Sequence, residues 1–330
     1  METKTACIRC KKQVLVARSP TAYRCPVCQT LNTSFSRQES SKTSNKSINL
    51  LKYQPPIPFS SLSRRWNKRA VLCGVTYRTK KLRLMGTTTD VRNMKQLLME
   101  NFQFPEEGIS VLTEHENDIR PTKKNILESL HWLVKDCQPG DSLVFHFSRH
   151  GSQQPDLKED EIDGFDEAIC PVDFQKEGMI VDNDINSILV WPLVKGVTLH
   201  AIIDACNSGT ILDLTYVYDK KKERWEDHTL PAKEPMRKHT SGGLAICLSA
   251  CLDTQMANDT AAFGRGMNGV LTFLFTKTIR ENPEITYGGI LDKIHEETQQ
   301  ITLRKWQPSF LDFYFPNKIS QIDIPSTLHY

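Results

Sequence analysis

No stretch of the 330 residues approaches the run of about 20 apolar side chains that a bilayer-spanning helix needs. The opening Met1-Glu2-Thr3-Lys4 also lacks the apolar centre of a secretory signal. A membrane location is therefore not expected, and the chain reads as cytoplasmic, with a nuclear share left open. Acidic residues are scarce at one end only. Residues 1–69 carry two Asp or Glu against fourteen Lys or Arg, whereas residues 70–330 carry thirty-seven against twenty-eight. The net charge of +3 thus conceals a head of +12 and a body of −9. A basic head suits either an acidic partner surface or a solvated tether; the tether is favoured and nucleic acid disfavoured. No internal repeat is visible, and 39% hydrophobic with 25% charged residues is the composition of a globular chain with one large core and a small module.

Ten cysteines in a reducing compartment read as metal ligands, catalytic thiols and buried small apolar groups in preference to disulfides. Cys7-Ile8-Arg9-Cys10 and Cys25-Pro26-Val27-Cys28 are two thiolate pairs spaced for one tetrahedral zinc ion in a ribbon over residues 1–31. So short a segment buries too little apolar area to fold alone, so the metal would supply its folding free energy. Residues 32–68 turn to Ser, Thr, Asn, Gln and Lys and then Pro55-Pro56-Ile57-Pro58, the composition of a disordered basic linker.

From residue 69 to 330 the pattern is that of one catalytic-size domain. Strands are expected at Arg69–Tyr77, Ile109–Leu112, Ser142–Phe147, Leu199–Ala205, Leu244–Ser249 and Phe310–Phe315. Helices are expected through Val91, Met94, Leu97 and Leu98, through Ile126, Leu130 and Leu133, and near Ile185–Val190, Leu271–Ile279 and Ile290–Glu297. Strands alternating with helices imply an α/β fold with a mostly parallel sheet covered on both faces.

Two of these strands run into reactive groups, Ser148-Arg149-His150-Gly151 and Asp204-Ala205-Cys206-Asn207-Ser208-Gly209. The functional crevice of an open α/β sheet lies beyond the carboxyl ends of its strands, where His150 and Cys206 both fall. A thiol is only slightly ionised at neutral pH, and a neighbouring imidazole takes and returns its proton during acyl transfer. Gly151 and Gly209 allow close backbone approach, and the Gly151 and Cys206 amides are candidates for an oxyanion hole.

His-Phe-Ser-Arg-His-Gly (146–151) and Asp-Ala-Cys-Asn-Ser-Gly (204–209) resemble the histidine and cysteine boxes of metacaspases. So do Asp163–Ile169, Gly178–Asn186, Trp225–His228 and Thr286–Leu291, giving coverage of roughly residues 66–315. The head resembles the lesion-simulating-disease type of zinc ribbon of plant type I members, and the short connection between residues 206 and 244 fits that type.

The resemblance implies a caspase-like fold and a Cys206–His150 dyad that cleaves proteins after Arg or Lys. It also implies Ca²⁺ activation, self-processing of a precursor, and a role in programmed cell death or stress proteolysis. It assigns Asp90, Ser148 and Asp204 to the substrate pocket, where two carboxylates suit a guanidinium. Asp90 also stands where a helix begins and reads equally as its cap. Calcium ligands by resemblance are Asp166, Asp182, Asn183 and Asp213, with Asn183 where an Asp is usual. Against this stands a plain solvated acidic loop. Further departures are Arg149 for Gly, Asn207 for His, and the segments Thr87-Thr88-Thr89-Asp90 and Ala250–Asp253.

Self-cleavage is expected within Lys220–Lys238, with Arg64-Arg65 and Lys68-Arg69 as a second exposed basic cluster. The competing reading is a weakly active or non-catalytic regulator that binds a protein or nucleic acid through its zinc ribbon and basic head.

Overall fold

The computed structural model describes residues 2–6, 13–17, 22–24, 31–33, 65–77, 86–156, 161, 164–205, 208–219, 222–227, 238–250, 259–260, 268–304 and 318–323. Two compact units result, residues 1–54 and 55–330, so the division falls inside the stretch expected as a linker.

The first unit contains two antiparallel hairpins, β1 (Glu2–Ala6) with β2 (Gln13–Ala17) and β3 (Ala22–Arg24) with β4 (Leu31–Thr33). Each Cys-x-x-Cys pair lies in the sequence between the two strands of a hairpin; Cys7, Cys10, Cys25 and Cys28 themselves lie outside the described residues.

In the second unit the chain runs through β5 (Lys68–Gly74), α1 (Thr87–Glu100), β6 (Ile109–Leu112), α2 (Lys123–Val134) and β7 (Ser142–Arg149). A small antiparallel sheet follows, built from β8 (Gly151–Pro155), β9 (Phe165–Ile169) and β10 (Ile180–Val181), with the single turn α3 (Phe174–Glu177) and α4 (Asp182–Leu189) around it. The chain then returns to the main sheet with β11 (Thr198–Ala205), the hairpin β12 (Tyr216–Asp219) and β13 (Arg224–Asp227), and β14 (Leu244–Ser249). A short pair, β15 (Asp259–Thr260) and β16 (Asn268–Gly269), leads into α5 (Val270–Glu281), α6 (Tyr287–Arg304) and β17 (Lys318–Asp323).

The main sheet has eight strands in the order β13-β12-β17-β14-β11-β7-β5-β6, parallel from β14 to β6 and antiparallel at the other edge. Its central strands are nearly continuous apolar runs because both faces are covered. Alternation of side chains along them creates two cores. Val71, Cys73, Phe145, Phe147, Ala201 and Ile203 pack with α2 and α4 residues such as Ile126, Leu130, Ile185 and Leu189. Ala70, Leu72, Val144, Ile202 and Leu248 pack with Val91, Met94, Leu97, Leu271, Leu274, Ile290 and Ile294 of α1, α5 and α6.

The expected strands and helices from residue 69 to 297 are found, Ile109–Leu112 and Leu244–Ser249 with the same bounds as expected. The first strand stops at Gly74, short of Tyr77, whose φ of +44° is incompatible with a strand. The strand expected at Phe310–Phe315 lies outside the described residues, and a further strand forms at Lys318–Asp323. The second basic cluster is exposed only in part: Arg65 is exposed, Lys68 half-buried and Arg69 buried. Arg65 Nη2 lies 2.5 Å from Asp141 Oδ1, Lys68 opens β5, and Arg69 is 4% exposed and donates to the Trp132 and Lys135 carbonyls. Burial pulls the Arg69 guanidinium below the ordinary arginine value, and Asp141 opposes that shift. Arg64 lies outside the described residues.

Candidate active site

β7 and β11 are parallel neighbours whose register runs from Ser142–Thr198 to Ser148–Asp204 and Arg149–Ala205. The next residue along each strand is His150 and Cys206, so both reactive groups follow the carboxyl ends of adjacent central strands. His150 is half-buried, and Cys206 lies outside the described residues. Gly151, the other oxyanion candidate, opens β8 opposite Ile169. His150 accepts a hydrogen bond at its carbonyl from Cys170 N at 3.1 Å, and its imidazole stacks on Tyr77 with ring centroids 5.4 Å apart.

The three expected pocket residues do come together. Asp90, Ser148 and Asp204 are 0%, 2% and 5% exposed. Ser148 Oγ donates to Asp90 Oδ2 at 2.7 Å, and Gly269 N donates to both Asp90 oxygens at 3.1 Å. Asp204 Oδ2 accepts from Thr272 N and from Thr272 Oγ1, each at 2.8 Å. The cap reading of Asp90 is corrected in one respect: α1 has no side-chain cap, and Asp90 instead holds the amide of Gly269, the residue just before α5. The first amides of a helix have no partner within it, and the helix dipole favours anions there. Both pocket acids are thus fixed as hydrogen-bond acceptors at one helix N-terminus. Gly269 is required by this crowding, since a Cβ there would lie 2.3 Å from Asp204 Oδ2 and 3.0 Å from Asp90 Oδ2.

Thr272 and His146 were not found by sequence reasoning. His146 Nε2 is 3.1 Å from Thr272 Oγ1. A threonine hydroxyl has one proton, which goes to the Asp204 carboxylate, so Nε2 is the donor and His146 is the neutral Nε2–H tautomer. Full burial pushes its pKa down to about 3. The only legible signal was its place two residues before Ser148 on the same face of the strand.

The four expected calcium ligands also gather, beneath the small sheet. Asp166, Asp182, Asn183 and Asp213 are 5%, 0%, 7% and 4% exposed, which excludes the solvated-loop reading for these four. Asp182, in the first turn of α4, accepts from Asn183 N at 2.6 Å and Glu167 N at 2.7 Å. Asn183 Nδ2 reaches Asp166 Oδ1 at 3.5 Å, and Gln154 Nε2 donates to Asp166 Oδ2 at 3.1 Å. Glu167 accepts from Gln153 Nε2 at 3.2 Å and from Thr210.

Lys238 Nζ enters the same cluster, 2.6 Å from Asp213 Oδ1 and 2.7 Å from Glu161 Oε1. Burial, then the neighbouring Asp213 and Glu167, push the Asp182 carboxyl up to about 9. Burial and Asp213 likewise push Glu161 up to about 10, against the pull of Lys238. Burial works to lower the Lys238 ammonium, but Asp213 and Glu161 outweigh it and its pKa rises. Among the described residues no three His, Cys, Asp or Glu side chains are arranged as a ready metal-ligand set. Lys238 and the backbone amides occupy the oxygens in question. Neither Lys238 nor Glu161 was legible, since they meet across 77 residues.

A mostly parallel sheet that carries the His150 and Cys206 positions past the ends of adjacent strands, with the buried Ser148 and Asp204 two residue pairs earlier, is the frame of a cysteine-type endopeptidase. Residues 68–215 match the family profile described as metacaspase, peptidase C14 domain. The chain is 39% identical over 317 residues to Metacaspase-3 of Arabidopsis thaliana, spanning 86% of this chain and 85% of that one. It is 46% identical over 240 residues to Metacaspase-2 of the same plant, spanning 71% of this chain and 57% of that one. Metacaspase-1A of Aspergillus oryzae is 36% identical over 272 residues, with 70% and 64% covered. Among solved structures, a protein of Geobacter sulfurreducens aligns at TM-score 0.49 and 20% identity over 79% of this chain and 95% of its own. Caspase-1 of Spodoptera frugiperda aligns at 0.41 and 11%, over 84% and 94%. The chain belongs to the metacaspase family. As a protease of that family it acts on proteins, and no helix among the described residues is long and apolar enough to cross a membrane.

Proposed function

We propose that this endopeptidase cleaves after Arg or Lys, with Cys206 as nucleophile and His150 as its acid–base partner, and that Ca²⁺ triggers its self-processing. The observation that carries the reading is the convergence of Asp90, Ser148 and Asp204, with Ser148 and Asp204 two residue pairs before the His150 and Cys206 positions. Two buried acids held by Ser148, Gly269 and Thr272 complement a guanidinium or ammonium and disfavour an acidic side chain before the scissile bond. His150 accepts the thiol proton on attack and returns it to the leaving amine, while the Gly151 and Cys206 amides receive the oxyanion.

The chemistry of the second cluster suits a hard divalent cation. Its donors are oxygens, and the Lys238 ammonium stands in as a cation that reaches both Asp213 and Glu161. Asp166, Asp182, Asn183 and Asp213 would hold the ion, which would supply the missing positive charge. Lys238 closes the connection that contains Lys220–Lys222, so ion binding and release of Lys238 link the cluster to the segment proposed for self-cleavage. The hairpin β12–β13 presents Arg224 and Lys222 on the surface, while Lys220 and Lys221 lie outside the described residues. The thiolate pairs flanked by the two hairpins support one structural Zn²⁺ at Cys7, Cys10, Cys25 and Cys28, and a ribbon that docks protein partners. Family membership supports a role in cell-death or stress proteolysis.

The test uses purified protein with peptides ending in Arg, Lys or Asp, with Ca²⁺ and with chelator. Cleavage of Arg and Lys peptides only, promoted by Ca²⁺ and abolished in Cys206→Ala, is expected. Turnover by that variant, or preference for Asp, overturns the reading.

A further inference from the structure

Tyr77 lies just past the end of β5, with a φ of +44° and 4% of its surface exposed. A bulky side chain on left-handed backbone is uncommon and persists only when its surroundings hold it. Four contacts do so here. The ring stacks on the His150 imidazole at 5.4 Å with 29° between planes, inside the range of favourable aromatic pairs. Phe174 meets its edge at 5.8 Å and 81°. The Arg149 guanidinium carbon lies 5.4 Å from the ring centroid, within cation–π distance. The hydroxyl donates to the Cys170 carbonyl, and the Cys170 amide donates in turn to the His150 carbonyl. Burial raises the phenol pKa, so the hydroxyl keeps the proton it donates. His150, Cys170 and Tyr77 therefore form a closed circuit: the backbone of His150 is tied to Cys170, Cys170 to the phenol, and the phenol ring to the face of the imidazole.

We infer that Tyr77 is a positioning residue for His150, and that its ring fixes the plane in which the imidazole faces position 206. An imidazole exchanges a proton usefully only along the lone-pair and N–H directions of its ring plane, so a rotation about χ2 removes proton transfer without removing the base. His150 is only half-buried and its rotation needs a wall. Tyr77 is that wall, held by its hydroxyl on the Cys170 carbonyl, by the edge contact with Phe174 and by its left-handed backbone. A displacement of about 1 Å at such a group costs up to about a hundredfold in rate. The contact touches no pocket acid, so its loss acts on the chemical step and leaves substrate affinity in place.

This inference rests on His150 being the acid–base group, and the full chain tests the two separately. Tyr77→Leu is expected to lower kcat on an Arg peptide about thirtyfold, with KM changed less than twofold. The rate at which iodoacetamide alkylates Cys206, followed on the Cys206 peptide by mass spectrometry, falls with it. Tyr77→Phe keeps the ring and loses one hydrogen bond, so it is expected within about threefold of the parent in both assays. Circular dichroism melting reports folding of each variant. Parent-level kcat in Tyr77→Leu overturns the inference. So does a folded Tyr77→Phe impaired more than tenfold, since the hydroxyl rather than the ring would then carry the effect. If His150→Ala retains turnover, the acid–base assignment itself fails; if that variant is inactive while Tyr77→Leu is not, only the role of Tyr77 fails.

Discussion

The two faces of the central sheet hold buried acids in opposite ways. On the α1, α5 and α6 face, Asp90 and Asp204 each receive neutral donors: Ser148, Gly269 N, and the amide and hydroxyl of Thr272. Near the small sheet, Asp166, Asp182, Glu161, Glu167 and Asp213 crowd one another, with Lys238 bridging two of them. The first arrangement stabilises anions with dipoles and leaves their charge directed at whatever enters the pocket. The second leaves charge unbalanced and raises two carboxyls far above their ordinary values, an environment that favours arrival of a cation. Rigid acids suit recognition, and crowded acids suit a switch.

The sharpest way to break this contrast is Asp204→Asn. The amide oxygen still accepts from Thr272, so α5 keeps its start, while the charge is gone. On Arg peptides kcat/KM is expected to fall about a hundredfold, the loss of one desolvated charge pair, and mostly through KM. Steady-state kinetics with Arg and Lys peptides measures it; parent-level KM would mean that the buried acid serves the helix alone.

A smaller effect concerns pH on the dipole-held face. His146 is buried and His200 half-buried, and desolvation pushes their pKa values down to about 3 and about 4, so both are neutral. Unfolded histidine titrates near 6.5, so between pH 6.5 and 4 the unfolded chain binds protons that the folded chain does not. Stability is therefore full above about 6.5 and lost as pH falls through that window. Each histidine contributes about 2 kcal/mol of this loss by pH 5. Asp182 and Glu161, with raised pKa values, gain stability over the same pH fall and oppose the histidines, so the two-variant comparison isolates one histidine. Urea unfolding of Cys206→Ala with and without His200→Phe, which keeps a flat ring beside Tyr287, is read at pH 7 and pH 5, and the second substitution is expected to make the change on going to pH 5 about 2 kcal/mol more favourable. An unchanged difference would show that His200 is not held neutral.

Legibility in the sequence followed the range of the interactions. The β–α order of the body was readable because each element carries its own periodicity, and Asp90, Ser148 and Asp204 were readable through resemblance. What escaped depends on chain-distant meetings: Thr272 with Asp204 across 68 residues, Lys238 with Glu161 across 77, and Tyr77 with Cys170 across 93. The antiparallel edge of the sheet escaped for a related reason, since β17 takes its place between β14 and β12 by backbone pairing, which no side-chain pattern announces. Tyr77 was taken as the last residue of a strand because apolar β-formers precede it, and only its backbone angle reveals that it turns out of the sheet toward His150.

The smallest expected effect refines the crowded side of the comparison. Asn183 stands among Asp166, Asp182 and Asp213, and its amide reaches Asp166 at 3.5 Å. Asn183→Asp adds one negative charge to an already unbalanced cluster, with two consequences of opposite sign. Without metal the added carboxylate joins a crowded group of acids in which Lys238 is already engaged with Asp213 and Glu161, so the melting temperature falls by a few degrees. With Ca²⁺ the same carboxylate is a charged oxygen ligand in place of an amide carbonyl, and the ion binds more tightly. The midpoint of a Ca²⁺ titration is expected to drop about threefold to tenfold. Two readouts on Cys206→Ala protein follow it: the melting temperature, and intrinsic tryptophan fluorescence. A third, on active protein, is the Ca²⁺ concentration at which fragments beginning within residues 220–238 appear by N-terminal sequencing. If the variant melts lower without Ca²⁺ and shows no shift in the Ca²⁺ midpoint, the cluster is crowded for a reason other than cation binding, and the contrast between the two faces reduces to one of packing.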